Sequence, residues 1–194
     1  INTDAITALS AGKVSKLSTD FIQALVSEQI AAMQTQDLQA LSTDQIRAMS
    51  TDGISGLTSE QAYALKSTQF DQLSSDQLNA LSTESISSLK TNRISGIDAS
   101  KFHALSTENL AALSTEHFAN LTTEQISGLS TDQLQSIQTD DFTALTLDLV
   151  RALSTENINA LTSEQLVGIS EDKIRYLGTD QLRALTTENF SLLS

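Results

Sequence analysis

The chain has 194 residues, 39% of them hydrophobic but only 4% aromatic, with no Cys, Pro or Trp and a formal charge of −13. That is enough apolar material for a core, and the absence of cysteine excludes disulfides, thiolate metal sites and a cysteine nucleophile. The acidity, with an isoelectric point near 4.3, disfavours nucleic acid and anionic membrane surfaces, which are bound through Lys and Arg clusters.

No apolar run approaches the roughly 18 residues that a membrane span needs. The chain opens at Ile1 with neither an initiator Met nor a signal-peptide pattern, which reads as a processed chain or an excised fragment. From Asn2 onward it divides without a slip into 24 octapeptides, from NTDAITAL, SAGKVSKL and STDFIQAL to GTDQLRAL and TTENFSLL, leaving only Ile1 and Ser194 outside. The expected domain organisation is therefore one continuous octapeptide array over residues 1–194, a segment of a longer array.

In chain order, the fifth and eighth positions of the repeats are apolar throughout. Ile6 and Leu9 open the series, followed by Ile22 and Leu25, Ile46 and Met49, Phe70 and Leu73, Phe102 and Leu105. Phe118 and Leu121, Phe142 and Leu145, Ile174 and Leu177, and Phe190 and Leu193 continue it to the end. A spacing of three puts both residues on one face of a helical turn, whereas a strand would turn them to opposite faces. The non-capping positions favour Ala, Gln, Glu and Leu over Val, Tyr and Thr, which selects helix over a β-solenoid.

A single straight helix fails, because eight residues at about 100° each displace the apolar stripe by about 80° per repeat. The period also differs from the seven or eleven of a coiled coil. The chain must bend once per repeat, and the first two positions supply the cause, since Ser and Thr cap a helix start better than they continue one. Ser18, Ser42, Ser74, Ser106, Ser130 and Ser154 are the expected N-caps. The first position also takes Val26, Gln34, Lys66, Lys90 and Gln138, so the second residue is the alternative cap. The leucine before each cap and the fifth-position residue then form a hydrophobic staple.

These expectations define an all-α solenoid of 24 octapeptides, each a short helical segment plus a bend. Segments of six or seven residues do not persist alone in water, so stability must come from stacking. The spacing of the most divergent repeats suggests four to five repeats per superhelical turn. The seventh position is mostly Ala or Gly, which allows close approach of neighbouring segments. The sixth takes Thr7, Gln23, Arg47, Tyr63, His103 and Arg183 and is read as facing water.

Of the 24 acidic residues, 19 stand at the third position, in the first helical turn, where the helix dipole favours them. A structural Ca²⁺ role is disfavoured, because calcium takes six to eight oxygens from a compact loop and no such loop is visible. His103 and His117 stand in separate repeats without a recurring ligand spacing and are read as surface histidines. The Ser and Thr residues come with no nucleophile elbow or Walker loop. Asn120-Leu121-Thr122 and Asn189-Phe190-Ser191 match the glycosylation triplet, a short pattern common by chance. The reading is no enzyme, no cofactor and no catalytic or metal-binding residue.

The unit L-[ST]-T-[DE]-Q-[IL]-x-[AG], as in Leu41-Ser42-Thr43-Asp44-Gln45-Ile46 and Leu129-Ser130-Thr131-Asp132-Gln133-Leu134, resembles the short helical repeats of large repetitive bacterial surface and secreted adhesin-like proteins. The resemblance spans the whole chain. It implies an extracellular or cell-surface setting, in which such arrays serve as stalks or fibres. The expected role is an elongated spacer or a self-associating fibre segment, joined end to end or by continuation of the array. The alternative is a solenoid that binds peptide or glycan through a groove.

Overall fold

The computed structural model describes residues 2–186 and Asn189, apart from the side chain of Glu171. Among the described residues there are 23 helices of four to six residues and no strand. The octapeptide register is the helical register, one helix to each repeat, as in Thr43–Ala48, Ser59–Ala64 and Thr131–Ser136. The protein is an all-α solenoid of repeats. It divides into two compact units, Ile1–Arg93 and Ile94–Ser194.

The bend after Thr43–Ala48 is made by an extended pair of residues. Met49, the C-cap of the Thr43–Ala48 helix, has φ −60° and ψ 135°, and Ser50, the N-cap of the next helix, has φ −68° and ψ 159°. Among the described residues none has a positive φ and no peptide is cis. The bend therefore needs neither glycine nor proline. The first position is the N-cap. The side chains of Ser18, Ser42, Ser74, Ser106, Ser130 and Ser154 each accept a hydrogen bond from the backbone N–H three residues on. At its far end the eighth-position N–H closes back on the fifth-position carbonyl, as from Met49 to Ile46 at 3.2 Å, a tightened last turn that spares one helix-end carbonyl.

The core runs along the axis of each unit. Ile6, Ile22, Leu25, Ile46, Met49, Phe70, Leu73, Phe102, Leu105, Phe118, Leu121, Phe142, Leu145, Ile174 and Leu177 are buried, and Leu9 is half-buried. Phe190 and Leu193 lie outside the described residues. Burying each such side chain contributes roughly 1.5–3 kcal/mol, and at these helix lengths stacking is what makes the helices persist.

Stacking is closer-wound than the four to five repeats per turn expected from the divergent repeats. Within each unit, helices pack on the third one before or after them in the chain. In the N-terminal unit Ser59–Ala64 lies between Thr35–Ala40 and Thr83–Ser88, and in the C-terminal unit Thr139–Ala144 lies between Thr115–Ala119 and Ser163–Gly168. Recurrent turn-to-turn hydrogen bonds span 28 residues, which is three and a half octapeptides. The divergent repeats did not mark this period, because the tightness of winding is set by the bend angle and by contacts between turns.

The seventh position holds the turns together closely. A Cβ on Gly56 would fall inside the backbone of Ser27, one turn earlier, and a Cβ on Gly168 would meet the Thr139 carbonyl at 2.7 Å. Glycine is required at both places by proximity, since neither has an unusual φ.

Candidate functional site

The most organised polar structure in the chain is a ladder built by the fourth position of the repeat. Nine repeats carry Gln there and three carry Asn. Of these amides, Gln45, Gln61, Gln69, Gln77, Asn109, Gln125, Gln133, Asn157, Gln165, Gln181 and Asn189 are buried. A polar side chain buried this thoroughly must be hydrogen-bonded to be tolerated.

Gln61 shows how. Its Oε1 accepts from the N–H of its own cap, Thr58, at 2.9 Å, while its backbone N–H donates to Thr58 Oγ1 at 3.2 Å, completing a capping box. Its Nε2 then donates to the carbonyls of Ile30 and Met33 in the turn below, at 2.9 and 2.7 Å. One amide thus caps its own helix start and covers two helix-end carbonyls four repeats earlier. In the C-terminal unit Gln165 does the same, with Thr162 as its cap and Leu134 and Ile137 as acceptors at 3.0 and 2.9 Å.

The rule is chemical, not specific to glutamine: the fourth position offers a donor to the eighth-position carbonyl 28 residues earlier. Asn157 Nδ2 donates to Leu129 at 2.9 Å, Ser85 Oγ to Leu57 at 3.0 Å and Arg93 to Leu65 at 2.8 Å. Where the first position lacks a hydroxyl, the glutamine still holds the cap from the other side. Gln69 and Gln181 accept from the N–H groups of Lys66 and Gly178 at 3.0 and 2.9 Å.

Ala5, Phe21, Gly53 and Leu149 bring no side-chain donor to this position, and two repeats invert its chemistry, because Asp37 and Asp141 place a carboxyl there. Both are buried. Asp141 Oδ1 accepts from Thr115 Oγ1 at 2.8 Å. Burial pushes the Asp141 carboxyl above the usual range, the Thr115 hydrogen bond opposes this, and the neighbouring charge of Asp140 adds to the rise. The residue equivalent to Thr115 beneath Asp37 is Ala11, and Asp37 Oδ1 has no hydrogen-bond partner.

The histidines are not both surface residues. His117 is a fourth-position residue, 2% exposed, whose Nδ1 accepts from the Ser114 N–H at 3.0 Å in place of a glutamine oxygen. His103 is half-buried, with Nε2 3.0 Å from the carbonyls of Glu124 and Gln125 in the next turn. Its ring fills the space beside Gly128 that a side chain there would need.

The sixth position is likewise less free than its variability suggested. Gln39 and Gln135 donate forward to the carbonyls of Ala64 and Ala160 at 2.6 and 3.0 Å, and Arg47 reaches Gln72. The Lys90 ammonium lies 4.5 Å from the centroid of the sixth-position Tyr63 ring. Tyr63 and Tyr176 are otherwise exposed. These residues vary because many side chains can reach a backbone carbonyl.

The described third-position carboxylates are solvent-exposed, and among the described residues no group of three or more His, Cys, Asp or Glu could hold a metal ion. No helix among the described residues is long and apolar enough to cross a membrane. Asn120 is exposed and its Nδ2 donates to the Glu116 carbonyl at 2.9 Å, while the Asn189 triplet extends outside the described residues.

Nothing among the curated proteins matches the chain. A family model does, at residues 30–67, 102–137 and 134–171, which together cover more than half of the sequence. The repeated match follows the repeated sequence, and the chain belongs to the ALTTAQ repeat family.

Proposed function

We propose that the chain is a structural spacer, a stalk or fibre segment of a surface or secreted protein, in which repeat number sets reach. The observation that carries this reading is the ladder. The buried amides of the repeats are spent on joining one turn to the turn beneath it, as Gln61 joins Ile30 and Met33 and Gln165 joins Leu134 and Ile137. Such an array gains an interface with every turn added, and its stability grows as the sum of these terms.

A groove-binding role has less support. Its expected signature is a run of aromatic or charged residues free along one face, but sixth-position side chains such as Gln39, Gln135 and His103 are engaged between turns. Small-angle scattering and sedimentation of the 194-residue protein test the proposal. Elongated monomers or end-to-end assemblies are expected. Compact monomers that stay unassociated at high concentration overturn it.

A further inference from the structure

We propose that Asp141 is a proton-operated clasp between turns of the C-terminal unit: protonated, its carboxyl donates to the Leu113 carbonyl, and ionised, it releases it. The argument begins with register. Leu113 stands 28 residues before Asp141, the offset at which Gln133 meets Leu105, Asn157 meets Leu129 and Gln165 meets Ile137.

The reach is set by isosteres. An Asp carboxylic acid has the shape of an Asn amide, and Asn157 and Asn189 show what that shape reaches from this position. Their Nδ2 atoms donate to Leu129 and Leu161 at 2.9 and 3.0 Å. Asn189 Oδ1 accepts from Ser163 Oγ at 3.5 Å, as Asp141 Oδ1 accepts from Thr115 at the same 26-residue offset. A protonated Asp141 reproduces the Asn189 arrangement, with Oδ1 accepting from Thr115 and the Oδ2 hydroxyl donating to Leu113.

The ionised form has no hydrogen to offer. It places a buried negative charge against an acceptor, which costs stability. The surroundings offer it little compensation. The titratable neighbours are Asp140 on the same helix, Glu116 and His117 on Thr115–Ala119, Glu164 on Ser163–Gly168 and Glu108 on the helix leading to Leu113. Lys173, whose Nζ reaches this helix, donates to the Thr143 carbonyl at 2.8 Å.

The upward displacement of the Asp141 carboxyl by burial agrees with this geometry. A folded-state value above the unfolded one means that the contribution is full at low pH and is lost as pH rises through the folded value. Acid therefore tightens this turn.

The test uses the full chain and its Asp141→Asn and Asp141→Gln variants, melted between about pH 8 and about pH 4 to span the carboxylate range. Both variants carry a donor at every pH. They are expected to melt above the wild type at the alkaline end, with the gap closing as pH falls. In parallel, carbon-detected NMR of the wild type should show the Asp141 carboxyl and the Leu113 carbonyl titrating with one midpoint, above the ordinary carboxylate range. A gap that does not change with pH overturns the proposal. So does an Asp141 carboxyl that titrates with the exposed carboxylates, a result that stands even if the variants fail to fold.

Discussion

The helices Thr35–Ala40 and Ser59–Ala64 are stacked neighbours of equal length, and each buries its fourth-position side chain almost completely. Yet Gln61 is fully hydrogen-bonded to its own cap and to the turn below, while Asp37 keeps an oxygen with no partner. Burial and helix length are the same in both. What differs is whether the side chain brings a donor to the helix-end carbonyls of the turn below, and that difference separates a firm turn from a weak one.

The comparison is broken most severely by Gln61→Glu, which replaces the donor by a charge facing two carbonyls. We expect a loss of about 3 kcal/mol or more, read as a lowered denaturant midpoint. A variant as stable as the wild type would show that the ladder is incidental. Next comes Gly56→Ala. The Ser27 backbone occupies the place of the new Cβ, so the turns must separate at a cost of about 1–3 kcal/mol. The same measurement checks it, and an unchanged midpoint would show that the spacing between turns is slack.

Two substitutions sharpen the comparison from the weak side. Asp37→Gln gives that turn the side chain that Gln61 has, and a gain of about 1–2 kcal/mol at neutral pH is expected in thermal or urea unfolding. Ala11→Thr leaves Asp37 in place and supplies the hydroxyl that Thr115 provides to Asp141. The expected gain is smaller, about 0.5–1 kcal/mol, and slower hydrogen exchange in the Thr35–Ala40 helix should accompany it. No gain from either change would mean that the unpartnered oxygen of Asp37 is without energetic consequence.

Much of this fold is written locally. The spacing of Ile46 and Met49 fixes the buried face, and Ser42 marks the helix start by chemistry that acts across three residues. The ladder is not local, because Gln61 and its acceptors lie 28 and 31 residues apart and their meeting depends on a bend angle that no single repeat declares. The number of repeats per turn was illegible for the same reason. A signal was nevertheless present. Glutamine and asparagine fill half of the fourth positions, whereas the exposed sixth positions take almost anything. A polar residue that varies so little within a repeat is one whose amide has a fixed partner. His117 was misread because it was weighed as a lone histidine instead of as the occupant of that position.

The direction of the fourth-position bonds has a consequence for how the chain comes to be folded. Gln45, Gln61, Gln77, Gln133 and Gln165 all reach back toward the N-terminus, to carbonyls laid down 28 to 31 residues earlier. During synthesis the acceptors of every rung therefore exist before the donor emerges. Within each unit an amide of this kind therefore meets acceptors that are already synthesised, and its rung can close without waiting for any later part of the chain.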